Sequence, residues 1–368
     1  MTIFYNLPDE LIYMICEKLE SVVDLVAFSM CSKRLNLICK DVNYTNDIYD
    51  IKKKLNSTVK ESAEKALKFN NNIKLKLDFS RNVFKSLTYC LSIIENIHTL
   101  DLSSCYNISD VSKFGSVHTL NLTNCMKVQD LSKLGNVHTL NLRYCNLITD
   151  VSMLGNVHNL DLSMCSKISD VSKLGRVHTL NLRGCNLITD VSNLVGVHTL
   201  YLNGCDKITD VSKLYRVRNL ELSWCYNISD VSNLGNVHTL DLTGCRGITD
   251  VSKLSRVFDL NLSFCNISDV SMLGNVRRLK LCWCKNITDV SKLGNVHYLD
   301  LSLCKNITDV SNLGNVYNLN LSQCVNITDV SKLGGVNTLD INYCKGIIDI
   351  SMLGKVPNLS FMEIDFLT

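Results

Sequence analysis

Cysteine, aspartate and histidine recur at fixed positions along most of this chain, and all three residue types can bind metals or transfer protons. The cysteines recur every twenty residues, except for one nineteen-residue step between Cys265 and Cys284. The series consists of Cys105, Cys125, Cys145, Cys165, Cys185, Cys205, Cys225, Cys245, Cys265, Cys284, Cys304, Cys324 and Cys344. A period of this length predicts a solenoid, in which each repeat buries its apolar face against its neighbours.

Metal binding is the first chemistry that these residues suggest, but their spacing disfavours it. Zinc sites use spacings such as C-x₂₋₄-C, whereas this series supplies one thiol per repeat, and strand alternation separates Cys282 from Cys284. Calcium requires several oxygens at one point, whereas the repeated aspartates, from Asp110 to Asp349, also supply one per repeat. We therefore predict no metal and no other cofactor, buried structural thiols, and aspartates that cap a turn.

All eight histidines fall in one column, immediately before the predicted strand of each repeat. They are His98, His118, His138, His158, His178, His198, His238 and His297. Because neighbouring strands lie about 4.8 Å apart, we expect an exposed ladder of stacked rings. Metal chelation between neighbouring repeats is the alternative. Protonated imidazoles at this spacing would repel one another, so the array should loosen below about pH 6.

Each repeat must consist of a short strand followed by a tight turn. Leu120 and Leu122 alternate with polar residues, which predicts a strand over residues 119–123 with both leucines facing the core. In the second half of a repeat, Ile148 and Val151 are spaced to turn inward. Stacked repeats would form a parallel sheet, and only a turn or a short 3₁₀ segment fits on the convex side.

This pattern, LxxLxLxxC from Ile97 to about Leu359, resembles the leucine-rich repeat, and in particular the cysteine-containing class found in many F-box proteins. The Ile-Thr-Asp-Val-Ser segment resembles bacterial internalin repeats. The resemblance implies an α/β solenoid of about 13 short repeats over residues 97–355, with a parallel sheet on its concave face. Residues 356–368 would form a C-terminal cap.

The first 45 residues do not follow the repeat and are expected to form a small helical module. The segment Asn6-Leu-Pro-Asp-Glu-Leu-Ile, together with Cys31-Ser-Lys-Arg, resembles the F-box, although Leu35 stands where that family commonly has tryptophan. The resemblance implies docking on a Skp-type adaptor of a cullin ligase. Its adaptor-binding residues would be Leu7, Pro8, Leu11, Ile12 and Ile15. A helical cap on the solenoid is the alternative.

Residues 46–96 are expected to connect this module to the repeats and to shield the first repeat. A charged helix is predicted between Asn46 and Phe69, from Ile48 through Ala63 and Leu67. The alternation after Ile73 predicts a strand, and a helix is predicted over residues 83–94.

Composition restricts the kinds of partner and the cellular compartment that we expect. The 368 residues carry a net charge of +3 with scattered basic residues, so we expect neither nucleic-acid nor membrane binding. The absence of a signal-peptide pattern and the buried thiols favour an intracellular protein. Uniform repeats rich in Asn, Ile and Lys resemble F-box proteins encoded by large amoeba-infecting DNA viruses, which would place this protein in a host cell.

Most repeats have Asn or Asp at the central outward position of the strand. We expect the target surface where residues at or beside this face are of other types. These residues are Tyr201, Glu221, Trp224, Phe264, Arg278, Lys280, Trp283 and Tyr298. Aromatic residues and arginine dominate interface energetics. Partial burial under the turn remains the alternative for Trp224, Phe264 and Trp283.

The sequence contains no nucleophile–base pair, phosphate-binding glycine loop or RING-type zinc spacing, so we predict a non-catalytic protein. The leading interpretation is a substrate-recognition subunit of an SCF-type ubiquitin ligase that binds a protein target. An internalin-like interaction scaffold and an enzyme-inhibiting solenoid are the alternatives.

Overall fold

The computed structural model describes residues 48–51, 74–78 and 97–362. The chain divides into two compact units, Met1–Cys145 and Asn146–Thr368. The predicted adaptor-binding residues and the helix predicted over residues 83–94 lie outside the described residues. None of the helical segments in the described ranges is long and apolar enough to cross a membrane.

The described part of the first unit consists of five strands, each paired in parallel with the next. They are β1 (Ile48–Ile51), β2 (Lys74–Asp78), β3 (Ile97–Asp101), β4 (Thr119–Asn121) and β5 (Thr139–Asn141), with a 3₁₀ segment at Ser112–Phe114. Strand β2 confirms the strand predicted after Ile73. The predicted charged helix is wrong at its start, because Ile48–Ile51 pairs with β2 instead. Hydrogen bonds to a neighbouring strand override the helical pattern there.

The second unit contains eleven strands, and consecutive strands are again parallel. They are β6 (Asn159–Asp161), β7 (Thr179–Asn181), β8 (Thr199–Tyr201), β9 (Asn219–Glu221), β10 (Thr239–Asp241), β11 (Asp259–Asn261), β12 (Arg278–Lys280), β13 (Tyr298–Asp300), β14 (Asn318–Asn320), β15 (Thr338–Asp340) and β16 (Asn358–Ser360). Strand β16 lies in the segment predicted as the C-terminal cap and pairs with β15.

Short 3₁₀ segments connect most strands of the second unit, as the length of the repeats predicts. They span Ser152–Leu154, Ser192–Gly196, Ser212–Leu214, Ser232–Asn236, Ser252–Leu254, Ser271–Asn275, Ser311–Leu313, Ser331–Leu333 and Ser351–Leu353. The fold of the repeats is therefore a solenoid of strand and 3₁₀ turn, which confirms the predicted class.

Each rung from Ile97 to Leu333 buries seven apolar side chains. In one rung these are Val177, Leu180, Leu182, Cys185, Ile188, Val191 and Leu194, all at most 2% exposed. Burial of a leucine or valine side chain contributes about 1.5–3 kcal/mol, so the core of every rung depends on a neighbour that excludes water. The leucines of the first unit, Leu120 and Leu122, face inward as predicted.

The cysteine column closes the end of each strand. The Cys245 Sγ donates a hydrogen bond to the Leu222 carbonyl oxygen of the preceding rung at 3.1 Å, and that oxygen also accepts from the Cys225 amide at 3.1 Å. Burial raises the pKa of the Cys205 thiol to about 12, so it stays protonated and unreactive. The fourteen cysteines of the described residues are thiols rather than disulfides, and only Cys282 among them is not buried.

The repeated aspartates begin the 3₁₀ turn, as predicted. The Asp210 Oδ1 accepts a hydrogen bond from the Ser212 amide at 2.8 Å. The backbone and hydroxyl of Ser212 both lower the pKa of Asp210, because they stabilise its charged form. The same bond to a serine two residues on is present from Asp110 to Asp349. The aspartate column is thus explained by turn formation.

The nineteen-residue step leaves the sheet in register. Strand β11 pairs with β12 through Asp259 opposite Arg278 and Leu260 opposite Leu279. The missing residue is taken from the turn after Cys265, and Ile267 still lies fully buried. A shortened turn is tolerated because the buried residues on both sides keep their spacing.

The histidines form the stacked ladders that the repeat predicts. Ring centroids of His98, His118 and His138 in the first unit lie 4.4 and 4.5 Å apart. In the second unit His178 and His198 stack at 4.6 Å. Burial, His178 and Arg218 all lower the pKa of His198, because each disfavours its protonated form.

This ladder predicts a loss of stability in mild acid. A pKa of His198 below its unfolded value means that the unfolded chain binds more protons around pH 6, so stability falls as pH falls through that range. We expect a lower thermal midpoint at pH 5.5 than at pH 7.5, and a smaller decrease in His198→Gln. Circular dichroism melts would measure both. Asn337→Gln, in the same column, should leave the decrease unchanged, and an equal midpoint at both pH values in the unaltered protein would contradict the prediction.

Candidate target-binding surface

The outward residues of the strands are placed by the alternation of each strand around its buried leucine. In most rungs the last strand residue is Asn or Asp, and its side chain serves the following turn. The Asp241 Oδ1, for example, accepts from the Thr243 amide at 2.8 Å and from its hydroxyl at 2.6 Å. Equivalent backbone bonds are made by Asp101, Asn121, Asn141, Asp161, Asn181, Asn261, Asp300, Asn320 and Asp340. The monotonous column is therefore structural.

Tyr201, Glu221 and Lys280 are the residues that interrupt this column in the described rungs from β3 to β15. Tyrosine is too long to reach back to its own turn, and lysine carries only donors, so neither can accept the amide hydrogen. The Glu221 carboxylate instead forms an ion pair with Arg183. The sequence singled out these three positions, and their side chains are the ones in this column that do not accept a hydrogen bond from the following turn.

Four residues form a connected cluster on β7 to β9 and their turns, which we call the Arg183 cluster. The Arg183 guanidinium lies 4.8 Å from the centroid of the Tyr201 ring. Its Nε donates to the Asn203 Oδ1 at 2.8 Å, and the Asn203 Nδ2 donates to the Glu221 Oε2 at 3.2 Å. Tyr201 and Glu221 are therefore oriented by two residues that we did not predict. The signal was available, because most rungs have Ser or Thr at the positions of Arg183 and Asn203.

A second cluster lies at the first outward position of strands β11 to β13. The Arg278 Nε donates to the Asp259 Oδ2 at 3.1 Å, and its guanidinium lies 4.8 Å from the centroid of the Tyr298 ring. Burial and then the Asp300 carboxylate raise the pKa of Tyr298, so its hydroxyl remains a donor at neutral pH. Lys280 lies between Asn261 and Asp300 in register. The structure brings Arg278 and Tyr298 together and adds Asp259, which the sequence did not indicate.

Trp224, Phe264 and Trp283 form an aromatic column at the turn that follows each strand. Their ring centroids are 5.8 and 5.4 Å apart in consecutive pairs. Trp224 and Trp283 are 39% and 41% exposed, so about three fifths of each side chain is covered and the rest faces solvent. The Lys285 ammonium lies 4.8 Å from the Trp283 ring. The partial burial that the sequence left open as the alternative is therefore observed, and the uncovered part of each ring faces solvent.

The aromatic column occupies strained backbone positions. Trp224, Phe264 and Trp283 have φ angles of 64°, 63° and 56°. This left-handed conformation costs an L-residue roughly 1–2 kcal/mol, whereas glycine adopts it freely. Glycine occupies the same position in the rung between Trp224 and Phe264, where a Cβ on Gly244 would come within 2.3 Å of the Trp224 Cε3. The aromatic column thus depends on a missing side chain as well as on its own rings.

No group of three or more His, Cys, Asp or Glu side chains in the described ranges could hold a metal ion. Cys282 lies on the strand face while Cys284 is fully buried, as strand alternation predicts. Burial raises the pKa of the Cys282 thiol, so it is a poor nucleophile. The arrangement offers aromatic faces, paired charges and donors, which suit protein binding.

Comparison with known proteins identifies one domain in the N-terminal segment and solved structures that share the fold of the repeats. Residues 4–47 match the F-box domain. An internalin, InlF of Listeria monocytogenes str. 4b F2365, is similar over 70% of this chain and 84% of its own, at 25% identity and a TM-score of 0.54. No curated protein matches the chain in sequence.

Two further solved structures share the fold alone. The functional domain of InlJ from Listeria monocytogenes, which includes a cysteine ladder, is 19% identical, with 78% of this chain and 67% of its own covered and a TM-score of 0.54. TLR13 in its complex with ssRNA13 is 17% identical, with 86% of this chain and 54% of its own covered and a TM-score of 0.56.

The dependence of the aromatic column on Gly244 can be tested with fluorescence. In Gly244→Ala the added methyl group should push the Trp224 ring into solvent. In a Trp283→Phe background Trp224 is the sole tryptophan of the chain, so its emission should shift to longer wavelength and acrylamide should quench it more strongly. Gly204→Ala is the matched control, because Gly204 has a φ of 69° but no atom within 4 Å of a Cβ. The same spectral change in both variants would contradict the proposed contact.

Proposed function

We propose that this F-box/leucine-rich-repeat protein is the substrate-recognition subunit of an SCF-type cullin–RING ubiquitin ligase. The F-box domain at residues 4–47, on the same chain as a solenoid of repeats, is the observation that carries the proposal. Proteins of these two families are typically non-catalytic adaptors or binding proteins. In this proposal the chain acts inside the cell and other subunits transfer ubiquitin.

The F-box would supply the adaptor interface. The residues carried over from the family pattern are Leu7, Pro8, Leu11, Ile12 and Ile15. A Skp-type adaptor would cover these apolar side chains, because a module of about 40 residues buries too little surface to be stable alone. The adaptor would thus stabilise the module as well as connect it to the cullin.

The target would bind the strand face of the second unit, over the Arg183 cluster, the Arg278–Tyr298 pair and the aromatic column. Tyr, Trp and Arg dominate binding energy at protein interfaces. The ion pairs that hold Arg183 and Arg278 orient these side chains before binding, which lowers the entropy cost of association.

Adaptor binding can be tested by co-purification. The tagged protein should recover a co-expressed Skp adaptor, and Leu7→Ala/Pro8→Ala should reduce the affinity more than about tenfold, because it removes apolar anchors of the interface. Pro357→Ala/Leu359→Ala, the same changes at the other end of the chain, should bind normally. Failure of the unaltered protein to recover the adaptor would refute the ligase assignment.

Target capture should depend on the strand face. In cells, the triple variant Tyr201→Ala/Arg278→Ala/Lys280→Ala should lose proteins that the unaltered chain captures, with adaptor recovery unchanged. The control Thr179→Ala/Asn318→Ala/Thr338→Ala alters polar residues at outward strand positions that are not among the predicted target-binding residues. Quantitative mass spectrometry would compare them, and equal recovery by both variants would exclude this surface.

A non-catalytic interaction scaffold of the internalin type is the second candidate. It is favoured by the similarity to InlF and by a cysteine column in a fold shared with InlJ, whose domain includes a cysteine ladder. The N-terminal residues would then only cap the solenoid. Target capture without any adaptor binding would support this candidate over the first.

A further inference from the structure

A second charged surface lies beside the strands of the second unit, at the positions just before each strand begins. Five of the eleven arginines of the chain belong to it. We call this set the basic edge; it consists of Arg176, Arg216, Arg218, Arg256 and Arg277, all exposed. Arg176, Arg216 and Arg256 each precede a buried valine, and Arg218 follows one. Residues on both sides of a buried residue in extended chain point the same way, so these arginines face solvent on one side.

Backbone hydrogen bonds place the rungs of the basic edge next to one another. The Arg218 amide donates to the His198 carbonyl oxygen at 3.0 Å, and the His238 amide donates to the Arg218 carbonyl oxygen at 3.0 Å. The Phe258 amide continues the series to His238 at 3.1 Å. At about 4.8 Å per rung, Arg176, Arg216 and Arg256 recur every second rung, about 10 Å apart.

The positive charge of the basic edge is uncompensated. No Asp or Glu occupies either of its two positions between residues 156 and 297. The arginine ion pairs within the described ranges belong to Arg183 and Arg278 instead, both on the strand face. Nearby lysines differ, since Lys213 lowers the pKa of Asp210 in its own turn and so has an acidic neighbour. The basic edge therefore presents guanidinium groups that have no carboxylate partner among the residues that the structure describes.

Aromatic rings beside the basic edge help to choose between two kinds of anionic partner, nucleic acids and acidic polypeptides. The His238 and Phe258 rings stack on each other at 4.8 Å, and the Arg216 guanidinium lies 5.5 Å from the Tyr215 ring centroid. Single-stranded nucleic acids bind by stacking bases on open aromatic faces. Here one face of the His238, Phe258 and Tyr215 rings is in contact with a neighbouring side chain, which leaves less ring surface for stacked bases, whereas a guanidinium group binds a carboxylate in bidentate geometry.

We propose that the basic edge binds an extended, acidic polypeptide segment. An extended chain of the polyproline II type rises about 3.1 Å per residue with three residues per turn, so acidic residues at every third position lie on one face and match the spacing of Arg176, Arg216 and Arg256. The surface is separate from the strand face, and its occupation needs neither an adaptor nor the proposed target. Its test therefore stands or fails independently of the ligase assignment.

The test uses the purified full-length chain and a fluorescent poly-L-glutamate of about 20 residues at physiological salt. We expect Arg176→Glu/Arg216→Glu/Arg256→Glu to raise the dissociation constant at least about tenfold. The control Lys113→Glu/Lys133→Glu/Lys332→Glu changes the net charge equally at other exposed positions and should alter it no more than about twofold. Arg176→Gln/Arg216→Gln/Arg256→Gln should weaken binding less than the reversal, and its melting curve checks that folding is retained.

Three results would overturn the proposal. Equal weakening by the arginine and lysine reversals would reduce the effect to net charge. If the unaltered chain does not bind poly-L-glutamate, the basic edge is not a binding site for acidic segments. Tighter, arginine-dependent binding of a poly-U oligonucleotide of equal length would assign the basic edge to a nucleic acid instead.

Discussion

The backbone N–H and C=O groups of one rung form hydrogen bonds with those of the next rung. Every other feature of the repeats depends on these bonds. The strands are only three residues long in most rungs, so they have no stability of their own. A buried cysteine thiol adds a hydrogen bond to a leucine carbonyl oxygen one rung back, where the strand ladder has ended. Because buried polar groups must be paired, this bond lets the chain turn sharply at that point. The repeat can then be completed in twenty residues.

This constraint divides the outward side chains into two classes. Aspartates and asparagines that bond to the next turn are required by the fold, and their regular recurrence carries no information about a partner. Residues that replace them without making that bond are free to meet one another across rungs. Tyr201 and Glu221 of the Arg183 cluster arise in this way, whereas the Arg278–Tyr298 pair and the aromatic column occupy other outward positions in the same run of rungs. Part of the basic edge arises similarly, where Arg218 and Arg277 interrupt the histidine ladder.

Much of the fold was predictable because each repeat is a local pattern. The alternation around Leu120 and Leu122, the turn after Asp210 and the burial of the cysteines follow from residue types within a few positions. Strand β1 was not predictable, because residues 48–51 pair with a strand more than twenty residues away. Of the candidate surface, the departures from the repeated residue types were visible, including Arg183 and Asn203, but the contacts that these residues and Asp259 make were not. These residues act through partners on neighbouring rungs.

The sequence by itself determined the period, the identity of the core residues and the side of each strand that faces solvent, because a repeated pattern of apolar residues has one way to bury itself. It also determined the presence of the F-box segment. Only the tertiary structure decided which outward side chains meet. Arg183 and Glu221 are 38 residues apart in the chain, and Arg278 and Asp259 are 19 apart. Their contacts depend on the register between strands and on the direction each side chain takes, which no local pattern specifies.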